Sequence, residues 1–175
     1  MAGILIYSDR TKSAAELLAA ARQIGQELGL PVKAVCVNDP EQAEVLCRKG
    51  AEVYKIDNPQ ITAVDAASLA SALKQMAGIL STPIILLASN RRGKEVAGRL
   101  AQMLNAGCLT DVNGFQVNNG RIECARNTLG GATVSIQVIE TENQVIALMP
   151  KAYPIEEEMA GSINESLSMS TRKCQ

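Results

Sequence analysis

The sequence predicts an α/β protein: a mainly parallel sheet with helices on both faces and an antiparallel extension near its C-terminal end. Three observations predict it. Short apolar, β-branched runs alternate four times with segments of helical period. Those runs, Pro83-Ile84-Ile85-Leu86-Leu87-Ala88 most clearly, are apolar throughout, as in strands buried on both faces. After residue 107 the segments shorten, and one pair is joined by Asn119-Gly120, a type I′ turn signal.

Taken in order, residues 3–7 form a first buried strand that ends in the polar tip Ser8-Asp9-Arg10. A helix follows, with Ser13 and Glu16 spaced as a capping box, Leu17, Ala21, Ile24 and Leu28 on its inner face, and Gly29 as its stop. Residues 32–37 are a second strand. Asp39-Pro40 then supplies the N-cap and first-turn proline of a short helix ending at Gly50. Residues 51–56 are a third strand. The next helix is opened by Thr62 with Asp65 three residues on, and it buries Leu69, Leu73, Met76 and Leu80. The fourth strand, 83–88, leads through a polar turn into a helix with Val96, Leu100 and Met103 inward, stopped by Asn105 and Gly107. Four β-α units in succession require parallel strands joined by crossovers. Beyond them, 115–117 and 121–125 make a hairpin, and 133–139 and 144–149 are further strands that add antiparallel pairing beside the parallel core. From Ile155 periodicity is lost, and Glu156-Glu157-Glu158 with the Ser-rich end reads as a mobile tail. Residues 1–153 are the domain and 154–175 a tail or linker remnant.

The 175 residues suffice for one domain with a sizeable core. A net charge of −1 gives no basic field for nucleic acid, and three tyrosines with one phenylalanine offer few rings for stacking on bases or a flavin. Histidine is absent, which removes Ser-His-Asp and Cys-His nucleophiles and histidine metal sites. The five cysteines form no Cys-x-x-Cys pair and read as reduced thiols of a cytoplasmic protein. Neither a signal peptide nor an apolar run of membrane length is expected, so no membrane insertion. Asp9, Asp39 and Asp111 could bind magnesium, yet no Gly-rich phosphate loop accompanies them. No catalytic constellation is expected.

The candidate site is the turn after the fourth strand. Ser89, Asn90, Arg91, Arg92, Gly93 and Lys94 put donors and positive charge at a helix start. Cations there oppose the helix dipole unless an anion or acidic partner faces them. A phosphate site, a docking surface and an ordinary solvated turn all satisfy this pattern. Ser8 and Asp9 lie at the same rim in a doubly wound sheet, as nucleotide contacts or as capping residues. Asn38 and Asp39 end the second strand there as caps. Asp111 is a charge partner for Arg91 or Arg92, and Gly130-Gly131 serves either a close backbone approach or a positive-φ turn.

Residues 86–115, LLASNRRGKEVAGRLAQMLNAGCLTDVNGF, together with Arg126-Asn127-Thr128-Leu129-Gly130-Gly131 and 145–153, VIALMPKAY, resemble the N-terminal domain of the electron-transfer flavoprotein alpha subunit in order and spacing. Asn127 stands where that family has proline, Leu129 where it has an aromatic and Met149 where it has arginine. The resemblance implies a Rossmann-like fold of the adenine-nucleotide alpha-hydrolase group and a part in electron transfer. It implies an assembly containing FAD, with the flavin held mainly by a second domain that would follow near Pro154. It also implies partnership with a beta-like subunit or a separate FAD domain, or a homodimer through like faces. On this basis the expected role is a partner-docking scaffold that does not hold FAD tightly itself. The alternative, which rests on the basic turn at a helix start, is a stand-alone AMP- or ATP-binding protein analogous to universal stress proteins; the resemblance adds that the related beta subunit's equivalent turn faces an AMP phosphate.

Overall fold

Four apolar residues, Ile4–Tyr7, form β1 and sit completely inside. Strand side chains alternate between faces, so Ile4 and Ile6 enter one core while Leu5 and Tyr7 enter another. That division organises the molecule. On the first face lie α1 (Thr11–Leu28) and α2 (Pro40–Arg48), through Leu17, Leu18, Ile24, Ala43 and Leu46. On the second lie α3 (Ala66–Leu80) and α4 (Arg91–Leu104), through Leu69, Leu73, Met76, Val96 and Leu100. The structure, a computed structural model, describes residues 2–155 and 162–164.

The remaining strands are β2 (Val32–Val37), β3 (Glu52–Ile56), β4 (Ile84–Ala88), β5 (Gly107–Asn118), β6 (Arg121–Thr128), β7 (Thr133–Val138), β8 (Gln144–Leu148) and β9 (Ser162–Asn164). Among the described residues they form one sheet in the order β7-β6-β5-β8-β4-β1-β2-β3-β9. The fold is therefore the doubly wound α/β arrangement expected, with β6 antiparallel to both β5 and β7. After β3 the chain crosses back to the far side of β1 and changes face, which opens a crevice between the C-terminal ends of β1 and β4.

Several local expectations are corrected. Ser13 and Glu16 make no capping box: α1 starts after Arg10 without a side-chain cap, and Glu16 is drawn into a tertiary contact instead. Asp65, not Thr62, caps α3, accepting from Ala67 N and Ser68 N. Met103 is 40% exposed, because α4 docks through Ala97 and Ala101 beside Val96 and Leu100. Asn105, at φ 50°, stops that helix, whereas Gly107 already belongs to β5. The hairpin strand expected at 115–117 is the second half of a twelve-residue strand. β8 is not antiparallel: it runs parallel to both neighbours, inserted between β4 and β5. The Asn119-Gly120 turn has both residues at positive φ, 49° and 75°, as a type I′ turn requires.

Most of the segment expected as a tail, 154–175, with Cys174, lies outside the described residues. Within it Ser162–Asn164 pair in parallel with β3. No helix among the described residues is long and apolar enough to cross a membrane. Cys36, in β2, is buried, and desolvation pushes its thiol up to about 12, as for an inert core residue.

Candidate functional site

The crevice at the switch point brings the two predicted groups together. Ser8 and Asp9 leave β1, and Ser89–Lys94 leave β4. Asn90 is the N-cap of α4: its Oδ1 accepts from Gly93 N at 2.7 Å, satisfying one of the helix's open donors. Its Nδ2 donates to Asp9 Oδ1 at 3.1 Å, and Arg92 Nη1 lies 3.6 Å from Asp9 Oδ2. A carboxylate of the protein itself thus sits at the positive end of α4, where an external anion would be drawn. Gly93 is needed for packing rather than for ligand approach, since a Cβ there would fall 1.8 Å from Ala88 O. Between Tyr7, Asp9, Asn90 and Arg92 about 10 Å³ remains, room for about one water. Burial, with Asp9 next in weight, raises the Tyr7 hydroxyl well above its usual range, so it stays a neutral donor.

The second half of the turn is also paired internally. A break in register carries β5 past β8 at Asp111, whose φ is 55°. Asp111 N donates to Ser89 Oγ, and Ser89 Oγ donates to Asp111 Oδ1, both at 2.9 Å. Lys94 Nζ reaches the same oxygen at 2.9 Å. Asp111 therefore pairs with Lys94, not with Arg91 or Arg92, because the bulge places it over the later residue. Lys94 first, then Ser89, holds its carboxyl below the usual range. A carboxylate so stabilised is a weak base, so the pair does not turn Ser89 into a nucleophile. Arg91 is exposed at the rim.

Ser8 is buried; its Oγ accepts from Arg10 N at 3.2 Å and its carbonyl from Gln42 Nε2 at 3.2 Å. Asp39 caps α2 through Gln42 N at 2.8 Å. Asn38 is not a cap. At φ 51° it clasps the loop before α3, donating to Asn58 O and Ile61 O and accepting from Asn58 N. These groups border a cleft of about 350 Å³ beside the crevice, whose charged lining is Asp9 and Asp39. Gly130 and Gly131, at φ 67° and 93°, serve a turn at the tip of β6 and β7, and nothing lies within 4 Å of where their Cβ atoms would be.

Sequence reasoning missed the clasp that holds the chain after β8. Glu16, buried in α1, accepts from Lys151 N at 2.8 Å, and Lys151 is left-handed at φ 65°. Tyr153 stacks on Phe115 with centroids 4.9 Å apart and takes a hydrogen bond from Phe115 N. Only the odd placement of a glutamate on a helix's inner face signalled this contact.

Residues 8–166 match the profile of the electron transfer flavoprotein domain family. The chain is 32% identical over 180 positions to an electron transfer flavoprotein subunit alpha of Mycobacterium tuberculosis, covering 97% of this chain and 53% of that one. It is 30% identical over 122 residues to the subunit alpha of Thermoanaerobacterium thermosaccharolyticum, covering 67% and 37%. With Protein FixB of Salmonella typhimurium it shares 24% identity over 166 residues, covering 93% and 50%. The chain spans about half the length of the curated relatives it matches.

Proposed function

From the premise that this chain belongs to the electron transfer flavoprotein domain family, we propose that it takes part in electron transfer as a docking scaffold that does not hold FAD tightly. The observation that carries this reading is the crevice at the switch point. Its anion position is taken by Asp9, its helix donor is capped by Asn90, and its free space is about one water. These residues do not fit a dinucleotide. Two of the four rings, Phe115 and Tyr153, are already stacked on each other. A flavin needed for electron transfer then comes from a partner, a beta-like subunit or a separate FAD domain. The name "subunit" borne by the relatives accords with such an assembly.

The test is an absorption spectrum of the purified chain alone and of the assembly it draws from its own cells with a tag. The expected result is a colourless chain and a flavin spectrum in the assembly. A yellow chain with stoichiometric FAD overturns the reading.

The cleft of about 350 Å³ supports a second reading, an AMP- or ATP-binding protein. Its charge opposes that reading, since phosphates would face Asp9 and Asp39, the charged residues of its lining. Denaturing the protein and chromatographing the released small molecules for adenine nucleotides discriminates between the two.

A further inference from the structure

An acceptor without a donor marks the cleft beside the crevice. Gln42, on α2, is 2% exposed. Its Nε2 donates to Ser8 O at 3.2 Å, which fixes the amide and leaves Oε1 as a free acceptor. No hydrogen bond reaches that Oε1 among the described residues. It is not sealed in, because among those residues Thr82 Oγ1 is the one buried side-chain polar atom that lacks a partner. The opening that Gln42 lines is the cleft of about 350 Å³. Tyr7 repeats the pattern. It is 6% exposed and lines the same cleft, and its hydroxyl finds no hydrogen-bond partner among the described residues. Two carboxylates complete the polar wall. Asp39 Oδ1 accepts from Gln42 N, which leaves Oδ2 unused among the described residues. Asp9 meets Arg92 from the crevice side at 3.6 Å, outside hydrogen-bond range, and Arg92 does not line the cleft. Burial first, then Asp9 and, less strongly, Asp39 raise the Tyr7 hydroxyl, so all three groups act on one space.

We infer that this cleft binds an organic cation through its N–H donors, a primary ammonium or a guanidinium carried on an apolar stem. The groups offered are two carboxylates, an amide oxygen and a neutral hydroxyl, all of which accept. A cation with several N–H donors satisfies them together, and its charge strengthens each bond. An anion would meet two like charges, and a neutral ligand would cover the carboxylates without pairing them. Val37, Ile61 and Ala63 line the rest of the cleft, a surface on which methylene groups can lie. A bare metal ion suits it less, since no group of three or more Cys, Asp or Glu side chains that could hold one occurs among the described residues.

This goes beyond the electron-transfer reading and is tested without flavin. Calorimetric titration of the chain with butylguanidinium and with butylammonium is expected to show one saturable site. Butylurea, of the same shape as butylguanidinium but uncharged, should bind about tenfold more weakly or worse. Asp39→Asn is expected to cost the cation about tenfold or more in affinity. Helix α2 keeps its cap in that variant, because asparagine caps as well as aspartate, and circular dichroism with the urea midpoint checks that the fold is unchanged. Tyr7→Phe removes the hydroxyl alone and is expected to weaken binding about threefold or more. A blocked peptide containing one arginine tells the sources apart. Tighter binding than butylguanidinium assigns the cation to a partner protein's arginine, and equal or weaker binding assigns it to a small free amine or guanidine. No saturable binding of either cation overturns the inference. So does AMP or magnesium bound more tightly than the cations, or an Asp39→Asn protein that binds them as the parent does.

Discussion

Asp111 shows how one side chain can settle a loop. Its left-handed backbone brings a carboxylate to Ser89 and Lys94 at once, and the ion pair it makes is about half exposed. A carboxyl whose folded pKa is lowered stabilises the fold above its unfolded value, near 3.9, and that contribution fades as pH falls through the folded value. Solvent screening keeps it small, about 0.5–1 kcal/mol. Asp111→Asn is therefore expected to lower the urea midpoint at pH 7, with the gap to the parent protein shrinking as pH falls below about 4 and closing only below the folded value. A gap that does not shrink at all as pH falls below about 4 would mean that the hydrogen bonds, not the charge, hold β5 to the turn. At this scale the sequence was least legible. Three basic residues within four positions announce that something acidic faces them, yet Asp9 follows β1 and Asp111 sits in the bulge of β5. Neither distance is written in local spacing.

Helix α4 is the element on which the crevice depends, and its glycines separate two roles. Gly93 packs against Ala88 O so closely that any side chain must displace the helix start, whereas Gly98 faces open space. Gly93→Ala is expected to cost about 3 kcal/mol or more, as backbone overpacking does. Gly98→Ala should gain about 0.5–1 kcal/mol from helix propensity. Thermal or urea unfolding of the two variants checks both, and equal effects would reject the packing role. Elements were the most legible scale. The apolar runs and helical periods located four strands and four helices, because those patterns are what burial on two faces demands. Helix starts were less certain: Asp65 and Thr62 both carry capping oxygens, and only the path of the loop decides which one caps α3.

For the whole molecule, the sheet rests on β8, which lies between β4 and β5 although its sequence comes after the antiparallel strands. Its partner choice could not be read locally, since an apolar strand of five residues suits either direction of pairing. Ile146 is completely buried there. Ile146→Ala is expected to cost about 2–5 kcal/mol, against less than about 0.5 kcal/mol for Val64→Ala, which is 77% exposed. Denaturant titration of the two variants measures the contrast. The placement also bears on how the protein is made. While a ribosome is still translating the residues between Ala88 and Gln144, β4 has emerged with one flank bare, and β5 emerges with no companion on that side. The nascent chain therefore carries two sticky flanks until its last core strand is released, which is the interval in which a chaperone has most to protect.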